Sequence, residues 1–183
     1  EMCIRDSLTI KKIPKVSWSS DETFNLKPKL STLFFLCFGL TLFGLGEGLL
    51  IVSITGASPW SVLAQGISLN VNLTIGTITL LISIGVLIMW IPLSQKFGMG
   101  TIFNALIIAL MIDLCVKFVP TPTNYLSQLI LAVISVLIVG IGGGIYLVSN
   151  LGAGPRDGLM IGLQKKTGPV SYTHLTLPTK RIV

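Results

Sequence analysis

Five polar residues stand out in a chain that otherwise has little chemistry to offer: Glu47, Asn104, Asp113, Arg156 and Asp157. Glu47 and Asp113 each interrupt a long apolar run, and an ionisable group at such depth is costly enough to be a functional candidate by default. Either acid could bind a cation, relay a proton or meet a substrate amine. Arg156 could hold a phosphate headgroup or an anionic solute, with Asp157 beside it placed to favour a helix N-terminus. Against each function stands a plainer role: hydration near the outer interface for Glu47, and a structural hydrogen bond or helix end for Asp113. For Arg156 and Asp157 it is a capped helix with a lipid-facing arginine. Asn104 and Asp113 lie nine residues apart, about 900° of helical turn, so they face opposite sides of one helix and cannot pair directly. Asp113 and Lys117, at i and i+4, can.

No other chemistry is legible. There is no Ser/His/Asp set, no metal-ligand cluster and no nucleotide loop, and Gly142-Gly143-Gly144 reads as a packing stretch. The expectation is a protein that is not an enzyme and carries no cofactor or metal. Cys37 and Cys115 sit inside apolar runs and read as core thiols.

The elements that must position these residues follow from composition. Of 183 residues, 51% are hydrophobic and 11% charged, with a mean hydropathy of +0.85. Soluble domains carry charge on about a quarter of their residues. From Gly48 to Gln95 there is no Lys, Arg, Asp, Glu or His. This excludes a soluble enzyme, a disordered tail and a nucleic-acid binder; the net charge of +6 comes from basic clusters flanking apolar runs. The chain reads as all-α, a polytopic helical membrane protein with the lipid bilayer as its main partner.

A bilayer core about 30 Å thick needs roughly 20 apolar residues of helix. Leu30–Ile54, Thr74–Leu93, Thr101–Val119 and Tyr125–Ser149 meet that length, and Asp157–Leu163 begins a fifth apolar helix. Helical rise puts Glu47 about 25 Å along the first run, in its outer part, and Asp113 about 18 Å into the third. Lys11, Lys12, Lys15, Lys27 and Lys29 precede the first run; Lys96 follows the second, and Arg156, Lys165 and Lys166 follow the fourth. The positive-inside rule then sets the N-terminus in the cytoplasm, with Lys117 as the exception. Trp18 and Trp90 read as interface anchors. No short apolar core with a cleavage site marks a signal peptide.

An offset of 96 lays the chain on itself. From Gly44 to Gly66, ten of 23 positions match, holding Gly-x-Gly-x-Gly, Val-Ser and Gly-Ala-x-Pro in register. Three spans lie within one period, so successive copies cross in opposite senses: two inverted-topology three-helix repeats, the first over 30–119 and the second, truncated, over 120–169. In each copy, Gly44, Gly46 and Gly48 or Gly140, Gly142 and Gly144 would let helices approach closely. Gly56 and Gly152 would permit a break. Ser58 or Gly154 would cap a helix restarting at Pro59 or Pro155. These corners, with Trp60, are either a transport site or packing corners at opposite membrane faces. Residues 59–71 are too few for a full span and fit an interfacial or re-entrant helix.

The ends fit no such pattern. Residues 1–7 and 170–183 resemble translated sequencing-adapter DNA, leaving 8–29 as a cytoplasmic N-terminal segment and setting aside Cys3 and His174.

Leu151-Gly-Ala-Gly-Pro-Arg-Asp-Gly-Leu-Met160 resembles the signature of the YczE-like bacterial membrane proteins, relatives of the YitT group. Gly56–Leu63 and Gly100–Asp113 are similar to that family's other landmarks. The resemblance covers about residues 30–169 and implies a cytoplasmic-membrane protein that continues beyond the tail, without an established chemistry. The expected function is a small-solute or ion transporter. The alternative is a non-transporting accessory or scaffold for a partner, which could be a second copy or another membrane protein.

Overall fold

The computed structural model describes residues 18–20, 28–93 and 98–167. The terminal strings 1–7 and 170–183, lysines 11, 12, 15 and 27, and Lys96 lie outside the described residues.

Six helices and no strands make up the described chain: α1 Leu30–Val52, α2 Pro59–Ser68, α3 Ile75–Trp90, α4 Met99–Phe118, α5 Tyr125–Val148 and α6 Pro155–Thr167. Three of them, α1, α4 and α5, are long and apolar enough to cross a membrane. The second expected span is shorter than the apolar run that suggests it. Only 16 residues of α3 are helical, and 91–93 form a turn around Pro92, whose ring and missing N–H stop the helix. At about 1.5 Å per residue α3 reaches roughly 24 Å, less than a full bilayer core.

The exterior is apolar and polar groups join Leu36, Leu40, Ile108 and Ile112 in the interior. Phe34, Leu81, Ile88, Leu110, Val133 and Leu137 face outward, whereas Thr32, Glu47, Ser61, Thr101, Asn104 and Ser135 are buried. In hydrocarbon the apolar exterior is solvated, and the interior is where polar groups must find partners. Ser135 hydroxyl, for example, donates to the Leu131 carbonyl one turn back.

α1 is the central helix, packed between α4 and α5, while α3 packs against α4 and receives both short helices. The α1–α5 contact is antiparallel and made by backbone approach. Gly39 abuts Gly142 and Tyr146, and Gly46 abuts Ser135 and Val139. Gly44 and Gly48 face the other way, onto Met111 and Cys115 of α4. Gly140 and Gly144 have open space where a Cβ would go, so of the second glycine triplet only Gly142 makes the expected close contact.

The two corners match residue by residue at the spacing of 96. Ser53 and Ser149 end α1 and α5 in the same right-handed conformation, at φ −65°, ψ −21° and φ −62°, ψ −24°. Ile54 and Asn150 follow at φ 59° and 53°, and the next helices start at Pro59 and Pro155. The left-handed residue is therefore Ile54 or Asn150. Gly152 adds a second positive φ of 120° in its corner, whereas Gly56 has none.

Candidate functional site

Ser58 caps α2 with its hydroxyl accepting the Ser61 N–H, and Pro59 fills the first helical position. This fixes the first turn of α2 against Glu47 on the preceding helix. The Glu47 carboxylate is 4% exposed, and its Oε2 accepts from Ser58 Oγ at 2.9 Å and Ser61 Oγ at 2.8 Å. At this burial two hydroxyls, rather than bulk water, solvate the carboxylate.

The second corner is held by different groups. Gly100 N–H donates to the Leu151 carbonyl at 3.0 Å, and Thr101 hydroxyl to the Ala153 carbonyl at 2.7 Å. Trp90 is 1% exposed; its indole N–H donates to the Pro155 carbonyl at 3.0 Å, and its ring covers Gly158. Trp90 is thus a buried clamp on α6 and not an interface anchor. Trp18, the other expected anchor, is partly buried and stacks on Phe35.

These restraints aim the start of α6 into the bundle. Arg156 Nη1 stands 3.8 Å from Glu47 Oε1, and the guanidinium lies over the Phe43 ring, 5.6 Å from its centroid. Tyr146 hydroxyl donates to Asp157 Oδ2, and Asn104 approaches Gly154. Arg156 turns inward, away from the lipid-facing position expected of a mere cap. The first turns of both restarted helices reach one cavity, which Trp60 and Ser61 of α2 and Pro155 and Arg156 of α6 line together.

That cavity, of about 30 Å³, is bounded by Glu47, Ser83, Asn104 and Ile108 and has room for one or two waters. Trp60, Asn104 and Arg156 separate it from a cleft of about 550 Å³ walled by Phe43, Tyr146, Leu147, Asp157, Leu159 and Met160. The larger volume is within the range of small-molecule sites, roughly 300–1,000 Å³.

Asp113 is elsewhere. Its Oδ1 accepts Gly76 N–H at 2.7 Å and its Oδ2 the Thr74 hydroxyl at 2.7 Å, which makes it an anionic cap on the N-terminus of α3. A side chain on Gly76 would run into the Ala109 carbonyl and the Asp113 carboxylate. Lys117, the expected local partner, lies over Phe118 at 5.6 Å. Asn104, as helical geometry requires, faces the cavity far from Asp113.

The structure therefore brings together Glu47, Asn104, Arg156, Asp157, Trp60, Gly154 and Pro155, and leaves out Asp113 and Gly56. Sequence reasoning missed Ser61, Phe43 and Tyr146. The repeat held a signal for Ser61, since the offset of 96 pairs it with Asp157. Among the described residues no group of three His, Cys, Asp or Glu could hold a metal ion. Cys115 is buried with its thiol toward the Leu45 carbonyl at 3.7 Å, and Cys37 is partly buried; both are free.

Comparison with known proteins settles the family. The sequence profile described as "Family of unknown function (DUF6198)" matches residues 30–177. The chain belongs to this family. It is similar to an "Uncharacterized protein" of Haemophilus influenzae, 40% identical over 154 residues that cover 84% of this chain and 70% of that one. It is also similar to the "Uncharacterized membrane protein YczE" of Bacillus subtilis, 31% identical over 141 residues that cover 74% and 61% of the two chains. The B. subtilis "Uncharacterized protein YyaS" is 36% identical over 129 residues, covering 67% and 63%. The chain thus spans 61 to 70% of the length of these relatives. No solved structure matches it. The resemblance to YczE-like proteins holds, and with the apolar helices it establishes an integral membrane protein.

Proposed function

We propose that this protein is a small-solute transporter of the bacterial inner membrane, with its N-terminus in the cytoplasm, built from two copies of one inverted unit. The observation that carries the reading is that the first turns of both restarted helices line one cavity. Each copy breaks at the end of a long helix, turns through a left-handed residue and begins a proline-started helix whose first turn reaches the cavity. Glu47 from one copy and Arg156 from the other then face each other across a cavity. Discontinuous helices at matching places in inverted halves are where membrane transporters place substrate, and rocking of one half on the other would open the site to alternate sides.

The contact suits such a movement. Two charges 3.8 Å apart attract without a tight hydrogen bond, so they can part at modest cost once water or a ligand takes over their solvation.

Thiol labelling tests the reading. In a background with Cys3, Cys37 and Cys115 replaced by Ala, Ser61→Cys and Leu159→Cys are treated with a membrane-impermeant maleimide from either side of oriented vesicles. A transporter gives labelling of each position from both sides, at rates that a substrate changes in opposite directions. One-sided labelling, unaffected by any solute, sinks the transport reading and leaves the accessory or scaffold reading in its place.

A further inference from the structure

We propose that the cleft takes an organic anion with an apolar body, its acidic group held by Arg156. The assignment rests on reading the same cavity as the substrate site, and it deepens that reading by naming the chemical class.

Three charged side chains face the cavity and cleft, and their partners differ. Glu47 is supplied with donors by Ser58 and Ser61, at 2.9 and 2.8 Å. Asp157 is supplied by the Tyr146 hydroxyl. Arg156 has no acceptor within hydrogen-bond reach among the described residues; Glu47 Oε1 is at 3.8 Å and the Phe43 ring lies beneath. A guanidinium offers five N–H donors in a planar fork suited to two oxygens of a carboxylate or phosphate. Its side chain is 29% exposed, and the space it faces is the cleft. The unmet hydrogen-bonding capacity of the site is therefore on the guanidinium, whereas both carboxylates have hydroxyl donors.

A cation fits less well. The Phe43 face, the natural seat for it, is occupied by Arg156.

The rest of the cleft describes the remainder of the ligand. Leu147, Leu159 and Met160 line the cleft as well. Leu147 and Met160 are 57% and 60% exposed, so the cleft opens sideways between α5 and α6 along an apolar strip. A ligand whose acidic group sits on Arg156 would lay its hydrocarbon part there. Such chemistry belongs both to lipids with an acidic headgroup and to aqueous aryl or alkyl carboxylates.

Equilibrium binding of radiolabelled decanoate to the full chain in phosphatidylcholine nanodiscs tests the assignment without requiring flux. The expected result is saturable binding that unlabelled decanoate displaces, while decanol and decyltrimethylammonium do not. Arg156→Gln should weaken it roughly tenfold or more and Arg156→Lys by less, because a point charge replaces a fork. Lys117→Gln, outside the site, serves as the folded control, and helical circular dichroism checks every variant. Displacement by benzoate identifies an aqueous solute as the source of the anion; displacement only when phosphatidylglycerol is built into the discs identifies a lipid headgroup. Equal displacement by decyltrimethylammonium, unchanged affinity in folded Arg156→Gln, or no saturable binding overturns the inference. Decanoate binding with one-sided thiol labelling defeats transport alone; two-sided labelling without decanoate binding defeats the anion assignment alone.

Discussion

Glu47 and Arg156 stand 109 residues apart in sequence and 3.8 Å apart in space, and each belongs to a different copy of the repeated segment. The repeat is thereby broken at the level of side chains. Position 47 pairs by the offset of 96 with Gly143, and position 156 with Trp60. One copy contributes the acid and the other the base, so the cavity is asymmetric although the backbone corners around it match.

Because Glu47 is the acceptor for two buried hydroxyls, its removal should be felt by α2 before it is felt by Arg156. Glu47→Ala leaves the Ser58 and Ser61 hydroxyls only each other, 2.9 Å apart, so one donor loses its acceptor, a loss of about 1–3 kcal/mol. Glu47→Gln keeps an amide oxygen to accept from them and should cost about half as much. The unfolding midpoint in mild detergent measures both; equal midpoints for the two variants would contradict the hydrogen bonding described here.

Asp113 looks as functional in sequence as Glu47, yet its contacts are those of a helix cap. Asp113→Asn removes the charge at the α3 N-terminus and should destabilise by about 1 kcal/mol, and Asp113→Ala by about 2 kcal/mol. Faster hydrogen exchange should be confined to the first turn of α3, around residues 76–79. Lys117→Ala should change neither. An Asp113→Asn protein with native exchange but lost ligand binding would reverse the assignment.

Much of the architecture is legible from apolar run lengths, because a bilayer dictates how many residues a helix must have and no competing signal intrudes. The corners are legible as well: glycine, proline and an N-cap serine act locally, and the repeat shows them twice. The cavity is not. That the first turns of both restarted helices reach one cavity depends on the left-handed Ile54 and Asn150, a conformation that no rule assigns to isoleucine. Trp90 at the end of an apolar run fits a membrane interface as well as it fits a clamp on Pro155; only the partner 65 residues away decides. Asp113 is ambiguous for the same reason, its cap being formed with Thr74 and Gly76 on another helix.

Ile54 carries a cost that its counterpart avoids. A β-branched residue at φ 59° is strained, whereas asparagine tolerates the left-handed region through its short polar side chain. The Ile54 side chain is 67% exposed, so little packing is lost on replacing it. Ile54→Asn, which copies the second corner into the first, should stabilise by about 1 kcal/mol and raise the unfolding midpoint. Should the strain be used in moving the corner, the same variant will also slow thiol labelling at Ser61→Cys.

The glycines give the sharpest separation between what spacing suggests and what packing uses. Gly44, Gly46, Gly48 and Gly140, Gly142, Gly144 are indistinguishable by pattern, but a Cβ on Gly46 would come within 2.7 Å of the Val139 side chain and 2.9 Å of the Ser135 carbonyl. On Gly142 it would meet the backbone of Phe43 and the Gly39 carbonyl. Neither backbone can yield without parting α1 from α5, so Gly46→Ala and Gly142→Ala should each destabilise by about 1–3 kcal/mol. Gly140 and Gly144 have nothing within 4 Å, and alanine there should be neutral or stabilising by about 0.5–1 kcal/mol through helix propensity. Reversible unfolding in mixed dodecyl sulfate micelles measures all four. If Gly140→Ala proves as damaging as Gly142→Ala, that face of α5 is covered in the folded protein, as its counterparts Gly44 and Gly48 are covered by α4.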